Sequence, residues 1–288
     1  MDKHKENASV IITGGGGDYL EKSKVYKNYH YSVLPGCMMD YLHDTALEML
    51  KVIVPVFEQN NICYMICGGT LLGAFTTGKF IAWDDDIDIC ILDSDYDRAL
   101  ECLMREIPGW MCVQSSTTEP GYYHGWAKVR DRSSHVYPDT AIYRENGVWI
   151  DLYRLLHVKK SEIPFLVAQE HLNYLDRRLS AGDISEEEHD KRVEANNLLV
   201  RIKEGAEHAR ESEDSEETYI IWSASKIAVA EKSCFPRRKY MFEGIELYGF
   251  NDADEYLTRH YGEKYRTLPP DEQRRIGINR IILEEETS

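Results

Sequence analysis

The sequence predicts an α+β fold, in which a mixed sheet flanked by helices is followed by a helical C-terminal extension. Between residues 31 and 160, short apolar stretches typical of strands alternate with helical patterns. From about residue 164 to residue 211 the pattern is helical and polar. Because strands and helices come first and helices alone follow, we divide the chain into a flexible lead (1–30), a core (31–160) and a mainly helical region (161–288).

The composition indicates a folded protein with an acidic surface. The 288 residues are 43% hydrophobic and carry a formal net charge of −16. Nucleic-acid binding needs basic surface that displaces counterions, so we exclude nucleic acid as a partner. The sequence shows neither a leader with an apolar stretch nor a run of membrane-span length, which predicts a cytoplasmic location. The seven cysteines lack zinc-finger spacing, and we expect reduced, mostly buried thiols.

The first 60 residues are predicted to contain one long helix. The lead is polar, and its Gly14–Gly17 run lacks the GK[ST] sequence of a phosphate-binding loop. Apolar residues recur at helical spacing from Met38 to Asn60, which predicts an amphipathic helix. Pro55 is expected to kink this helix or end it early.

The following elements alternate between strands and helices. Gly68-Gly69 breaks the first strand, and Thr70 is expected to cap the helix after it. The segment 220–230 is a candidate amphipathic anchor, although a buried helix explains it equally well. The predicted elements are strands at 62–67, 87–92, 110–114, 122–130 and 147–152, and helices at 70–75, 93–107 and within 164–211.

Aspartates cluster at the start of the strand at 87–92. Side chains alternate faces along a strand, so Asp86 and Asp88 share one face about 7 Å apart at their Cα atoms. Asp84 joins them if the strand begins earlier. Two unneutralised carboxylates about 4 Å apart cost about 4 kcal/mol at an effective dielectric of 20. A cation is therefore expected there, and oxygen ligands favour Mg²⁺ or Mn²⁺.

A second strand supplies a third carboxylate. In GVWIDLYRL, Asp151 lies on the face opposite to the apolar residues Val148, Ile150 and Leu152. The alternative is that the DDD run is a solvated loop, which is the interpretation we give to Asp85. A calcium-binding helix–loop–helix starting at Asp93 is excluded, since the glycine and glutamate it needs are absent.

The glycine turn adds a predicted anion site. A strand that passes through Gly68-Gly69-Thr70 into a helix leaves backbone N–H groups unpaired at the helix N-terminus. An anion site beside a carboxylate metal site is typical of phosphoryl or nucleotidyl transfer.

The chain resembles the LicD family of choline-phosphate transferases, which is related to fukutin and fukutin-related protein. The resemblance lies in GGTLLGAF and KFIAWDDDIDI, and extends to the 47–68 stretch, GVWIDLYRL and the C-terminal FEGIELYGFNDADEYLTRHYGEKYRTLPP. The chain departs from the family pattern at Ala82, where proline is usual, and at Gly249-Phe250, where Val-Pro is frequent. The second departure affects the predicted acceptor side.

The resemblance implies a nucleotidyltransferase-like catalytic core of the polymerase β type, completed by residues 161–288. It assigns Gly69 and Thr70 to the donor phosphate, Asp86 and Asp88 to the metal, Asp151 to the metal and to proton abstraction, and Asp84 to an outer metal ligand. The reaction implied is transfer of a phospho-alcohol, most often phosphocholine, from a CDP-activated donor such as CDP-choline to a sugar hydroxyl. The acceptor would be a glycan or lipid-linked glycan, as in lipopolysaccharide or teichoic acid modification, and a lipid-linked acceptor would bring the protein to the inner membrane face.

For several basic and aromatic residues, a ligand-binding role and a structural role are both open. Lys128 and Arg130 are two residues apart and lie on one face of a predicted strand. They are expected either to bind a phosphate oxygen or to form surface salt bridges. A choline head group would suit an aromatic cage, for which the candidates are Tyr122, Tyr123, Trp126 and Trp149, although these residue types are more often core. We assign His124 and His157 to packing or hydrogen bonding.

Two other functions remain open. A nucleotidyltransferase on the same fold would add NMP to a small molecule or protein, and the nucleotide would stay on the acceptor. A non-enzymatic binding protein would release no CMP from any donor.

Overall fold

The computed structural model describes residues 10–13, 29–30, 36–137, 143–212, 216–222, 228–270, 274–276, 278 and 280–283. The Gly14–Gly17 run lies outside these residues. The elements, in chain order, are β1 (Val10–Thr13), β2 (Tyr29–His30), α1 (Gly36–Gln59), β3 (Tyr64–Ile66), α2 (Gly68–Thr76), β4 (Ile87–Leu92), α3 (Asp93–Glu106), β5 (Met111–Gln114), β6 (Ala127–Asp131), β7 (Ser134–Tyr137), β8 (Trp149–Lys159), α4 (Ile163–Ser180), α5 (Glu186–Ala195), α6 (Leu198–Glu211), β9 (Glu217–Trp222), β10 (Ala228–Ala230), α7 (Glu231–Cys234), β11 (Arg238–Phe242), β12 (Ile245–Gly249), α8 (Ala253–Tyr261), β13 (Arg275–Ile276) and β14 (Arg280–Leu283).

The main sheet is built around the long strand β8. On one side β8 pairs in parallel with β4, and β4 pairs in antiparallel with β3. On the other side its first half pairs with β6 and its second half with β9, both antiparallel. β5 extends the sheet beyond β6, and β10 extends it beyond β9. This mixed sheet flanked by helices confirms the predicted fold class.

The core lies between α1 and the sheet. Met38, Leu42, Met49, Ile53 and Phe57 of α1 are completely buried, which confirms the helical spacing read from the sequence. The helix continues through Pro55 to Gln59, so the proline does not end it early. On β4 and β8, the isoleucines and leucines that alternate with the aspartates are also completely buried: Ile87, Ile89, Ile91, Ile150 and Leu152.

The helical stretch after β8 consists of α4, α5 and α6, as its pattern predicted. Beyond it the chain returns to strands. The described parts of the 220–230 segment are β9 and β10, so both helical interpretations of this segment are wrong. Tyr219, Ile220 and Ile221 are all buried, and a run buried on both faces has no amphipathic period to favour a helix.

The C-terminal block packs around the glycine turn. β11 and β12 form a hairpin, which contacts α2 and β3, and α8 packs against α2. Strands of the N-terminal lead also pair with the end of the chain: β1 with β14, and β2 with β13. Within the described residues, no helix is both long and apolar enough to cross a membrane.

Candidate active site

Three aspartates meet where β4 and β8 run side by side. Asp88 and Asp151 are Cα partners in the parallel pairing, and Asp86 directly precedes β4. One carboxylate oxygen from each of the three residues lies within 4.8 Å of the other two. The three residues assigned from the sequence are therefore brought together on one sheet face.

Asp151 is surrounded by hydrogen-bond donors from the chain. Its Oδ1 accepts from Lys128 Nζ at 2.7 Å and from Trp126 Nε1 at 2.7 Å. Its Oδ2 accepts from Trp149 Nε1 at 3.2 Å and from the Tyr153 hydroxyl at 3.3 Å. Burial alone would raise the pKa of Asp151, but the charge and hydrogen bond of Lys128 outweigh burial and lower it.

The β4 carboxylates have fewer donors. Asp86 Oδ2 accepts from Trp149 Nε1 at 3.0 Å, and Asp88 Oδ2 accepts from the Gly69 N–H at 3.2 Å. Burial and then the charge of Asp151 raise the pKa of Asp88 to about 7. Burial and the charge of Asp88 raise the pKa of Asp86 well above its ordinary value. These two carboxylates thus need a positive charge that the chain does not supply in full.

The triad of Asp86, Asp88 and Asp151 can hold a metal ion. Convergent carboxylate oxygens with uncompensated negative charge fit a hard divalent cation, and Mg²⁺ and Mn²⁺ prefer such ligands. Asp84 lies outside this group. Its Oδ2 is buried and has no hydrogen-bond partner among the described residues.

The glycine turn fits tightly against the aspartates. Gly68 has φ +52°, and a Cβ there would lie 2.1 Å from Asp88 Oδ2. A Cβ on Gly69 would lie 2.1 Å from Asp84 Oδ2. The turn therefore requires glycine at Gly68, where the backbone is left-handed, and at Gly69 an added Cβ would force the Asp84 carboxylate to move.

The turn is tied to the sheet and to the C-terminal region. The Gly68 N–H donates to the Tyr256 hydroxyl at 2.9 Å. The residue at the N-cap of α2 is Cys67, so the prediction that Thr70 caps this helix is wrong. Thr70 lies inside the first turn instead, and its hydroxyl accepts from the Asp88 N–H at 2.9 Å. The N–H groups of Gly68 and Gly69, which were expected to be unpaired, thus donate to Tyr256 and Asp88. Gly69 and Thr70 lie beside the triad, and their contact with donor phosphate stays a prediction.

Lys128 and Arg130 are both buried on β6. Lys128 is the Cα partner of Asp151 in the antiparallel pairing, and the side chains of this ion pair are 8% and 6% exposed. Arg130 donates to Gln114 Oε1 at 2.7 Å and to the Gly147 carbonyl at 2.9 Å. Both cations lie over the Trp149 ring. Lys128 therefore forms a buried ion pair, and surface salt bridges do not describe either residue.

The four aromatic residues proposed as a cage divide into two pairs. Tyr122 and Tyr123 are buried and pack with Tyr143. Trp126 and Trp149 hold the triad carboxylates through their indole N–H groups. This role of the two tryptophans was not predicted, because nothing local in the sequence distinguishes an indole that faces a carboxylate from one in the core.

The two histidines are not among the residues of the triad. His124 packs among Tyr122, Tyr123 and Trp126, and burial lowers its pKa to about 3. His157 stacks on Tyr219 at 4.6 Å between ring centroids. The packing assigned to both from the sequence agrees with these contacts.

A cleft opens beside the triad. It encloses about 540 Å³ between the glycine turn, the loop before β4 and the segment after α8. Asp84 and Gly69 are among its lining residues, with the aromatic rings of Trp83, Tyr261 and Tyr265. Burial and then the charges of Asp88 and Asp84 raise the pKa of Tyr261, so this residue shares the electrostatic environment of the carboxylates. The sequence analysis did not identify these aromatic residues.

Comparison with known proteins agrees with this geometry. Residues 61–181 match the family described as LicD/FKTN/FKRP, nucleotidyltransferase domain. The chain is 24% identical over 251 residues to the lipopolysaccharide cholinephosphotransferase LicD of Haemophilus influenzae, which covers 80% of this chain and 92% of that protein. It is 28% identical over 124 residues to the ribitol 5-phosphate transferase FKRP of Homo sapiens, covering 41% of this chain and 24% of that protein.

The matched residues run from the start of β3 through α4 and contain the glycine turn and all three aspartates of the triad. The sequence motifs, the mixed sheet and the triad therefore lead to one conclusion. Residues 61–181 form a domain of the LicD/FKTN/FKRP family, and the similarity of the chain to named phosphotransferases supports a LicD-type enzyme.

Proposed function

We propose that this protein transfers a phospho-alcohol, with phosphocholine as the first candidate, from a CDP-activated donor to a sugar hydroxyl of a cell-surface glycan or its precursor. The observation that carries the proposal is the carboxylate triad placed against the glycine turn. The names of the relatives support the class of reaction: one is a cholinephosphotransferase that acts on lipopolysaccharide, and another is a ribitol 5-phosphate transferase.

In the proposed reaction, the acceptor oxygen forms a bond to the phosphorus that carries the alcohol. The bond between this phosphorus and the bridging oxygen breaks, and CMP leaves with the electron pair. The proton of the acceptor hydroxyl passes to Asp151. The ion pair with Lys128 keeps Asp151 ionised, which a proton acceptor requires.

The other residues hold and orient the reacting groups. Asp86, Asp88 and Asp151 would bind Mg²⁺ or Mn²⁺, with Asp84 as the predicted outer ligand. When bound, the metal ion supplies positive charge against the diphosphate oxygens. Gly69 and Thr70 would contact the donor phosphate, while Lys128 orients Asp151 and Arg130 lies over the Trp149 ring.

The competing reaction is nucleotidyl transfer, which the name of the matched domain favours. In that reaction NMP would stay on the acceptor, so the mass of the product separates the two. The proposed location is the cytoplasm, at the inner membrane face when the acceptor is lipid-linked. Cell fractionation with antibody detection tests that part directly.

The test is a transfer assay with Mg²⁺, a glycan acceptor and a panel of CDP-choline, CDP-ethanolamine, CDP-glycerol and CDP-ribitol, read by mass spectrometry. We expect CMP release together with acceptor that has gained phosphocholine. Asp86→Asn should release no CMP above background. Acceptor that has gained a nucleotide, or wild-type protein that acts on no donor in the panel, would overturn the proposal.

A further inference from the structure

The cleft beside the triad has a lining unlike that of the triad itself. Its walls carry Trp83 from the loop before β4 and Tyr261 and Tyr265 from the end of α8 and the segment beyond it. Aliphatic side chains and prolines also line it: Leu72, Ile81, Leu268, Pro269 and Pro270. The polar lining residues are Asp84, Lys264 and Thr267. The cleft is thus mainly apolar and aromatic, although it adjoins a site built from carboxylates.

One buried carboxylate belongs to this cleft. Asp84 lines it, and Asp84 Oδ2 is buried without a hydrogen-bond partner among the described residues. Asp84 also lies outside the group of oxygens that converge in the triad. A buried carboxylate oxygen without a donor is costly, so it is neutralised either by a proton or by a positive group held against it.

The aromatic rings favour a cation of a particular kind. A quaternary ammonium offers no N–H donor, and proteins bind it with aromatic faces and a nearby negative charge. The Arg274 guanidinium lies 5.4 Å from the centroid of the Trp83 ring, so this ring already holds a cation.

Lys264, the cationic residue in the lining, repels a bound cation only weakly. Lys264 is exposed, so water and salt screen its charge. The aromatic residues selected from the sequence are less suitable as a cage. Tyr122 and Tyr123 are 4% and 3% exposed, and the Trp149 ring carries two cations of the chain, Lys128 and Arg130, whereas the Trp83 ring carries one, Arg274.

We propose that this cleft is the head-group subsite: Trp83, Tyr261 and Tyr265 enclose a quaternary ammonium group, and Asp84 is its counter-ion. The subsite rests on the proposed function, since it assigns the alcohol carried by the donor. It gives Asp84 a role in recognising the head group, in place of a role in binding the metal. It also makes the C-terminal region, through Tyr261, a determinant of specificity.

The test compares two ligands of the same shape and different charge, without any chemical step. Phosphocholine and its carbon isostere 3,3-dimethylbutyl phosphate are titrated into the full-length protein with Mg²⁺ by isothermal calorimetry. We expect phosphocholine to bind about 10-fold more tightly, as cation–π contacts and one counter-ion would give. Tyr261→Leu and Asp84→Asn should each lower this ratio towards one, whereas Tyr261→Phe, which keeps the aromatic face, should preserve it.

Trp110→Leu is the matched control, because Trp110 is a partly exposed aromatic residue outside the cleft lining. It should leave the ratio unchanged, and thermal melting of each variant shows that it is folded. Equal affinity of the wild-type protein for the two ligands would overturn the subsite, and so would a ratio that Tyr261→Leu leaves unchanged. If Tyr261→Leu weakens CMP binding and leaves the ratio intact, the cleft holds the nucleobase and the proposal is wrong.

The experiments distinguish failure of the proposed function from failure of the head-group subsite. The affinity ratio needs no donor turnover, so it can be measured even if the wild-type protein transfers no phospho-alcohol. Conversely, transfer from CDP-choline that is abolished in Asp86→Asn, combined with no preference for the charged ligand, would retain the proposed function and reject the subsite.

Discussion

The carboxylates of β4 and the carboxylate of β8 lie within 4.8 Å of one another, but their electrostatic environments are opposite. Asp151 on β8 accepts hydrogen bonds from Lys128 and Trp126, and its pKa is lowered. Asp86 and Asp88 have no such ion pair among the described residues, and their pKa values are raised. The chain thus neutralises one carboxylate and leaves two for a ligand.

Sheet topology explains the difference. β6 pairs with the first half of β8 and brings Lys128 directly opposite Asp151. β4 lies between β8 and β3, and the β3 residues Tyr64–Ile66 are uncharged and buried. Lys128 on β6 therefore forms its ion pair with β8, and its charge does not prevent the rise in the pKa of Asp88. The positive charge missing at β4 is expected from outside the chain.

The largest expected effect is on catalysis, through Asp88→Asn. Removing a carboxylate that the chain leaves unneutralised should lower transfer from CDP-choline by more than about 10³-fold, the upper range for the loss of one electrostatic group. Without metal, the same change should raise the melting temperature, because it removes charge repulsion between Asp88 and Asp151. The measurements are the transfer assay and thermal melting with and without Mg²⁺. A variant that retains transfer, or that melts at a lower temperature without metal, would show that Asp88 is not the unneutralised carboxylate we describe.

The next largest effect is expected on stability, through the ion pair of Asp151 with Lys128. Lys128→Met leaves Asp151 buried without its ion pair, and breaking a buried pair in this way costs about 3–5 kcal/mol of unfolding free energy. Chemical denaturation measures this loss. The control is Lys160→Met, directly after β8, where the pair with Glu216 is exposed and worth under about 1 kcal/mol. Equal losses of unfolding free energy in the two variants would show that the Lys128–Asp151 pair stabilises the protein no more than an exposed ion pair does.

A smaller effect is expected at the glycine turn. Gly68→Ala should destabilise the protein by about 1–2 kcal/mol through the left-handed backbone alone, and further because the new Cβ would meet Asp88. Gly182→Ala is the matched control, since Gly182 has φ +72° and no atom within 4 Å of an added Cβ. Denaturation of both variants separates backbone strain from contact. If the two losses are the same, the turn does not press on the β4 carboxylate.

The smallest expected effect is in the pH dependence of metal-free stability, because solvent screens partly exposed carboxylates. The pKa of Asp88 rises from 3.8 to about 7 on folding, so the folded protein binds more protons than the unfolded chain between these values. The free energy of unfolding should therefore fall as pH rises from about 4 to about 7. Asp151 has the opposite sign: its contribution is present above its unfolded pKa and is lost as pH falls below it.

Denaturation at a series of pH values measures this slope. Asp88→Asn should flatten it, and so should saturating Mg²⁺, which binds the charged form. Stability that rises with pH across this window in metal-free wild-type protein would contradict the assignment.

Much of the centre of the molecule was predictable from local pattern. The spacing of Leu42, Met49 and Phe57 gave helix α1, and the alternation from Asp86 to Leu92 gave β4 with its aspartates on one face. Predictions were poorer where neighbours in the sheet decide the structure. The strand expected over 122–130 begins only at Ala127, and β8 extends seven residues past Leu152 because β9 continues the pairing there.

Periodicity acts over a few residues, and it was sufficient to place Asp86 and Asp88 on one face and Asp151 on the outward face of its strand. Pairing register and the approach of distant segments are non-local, and only the folded chain sets them. They decide that Lys128 neutralises Asp151, that Trp149 bridges Asp86 and Asp151, and that Tyr261 reaches the cleft beside Asp84. The local sequence thus determines which residue types the site contains, whereas the pairing of strands in the sheet determines their charge states and hydrogen-bond partners.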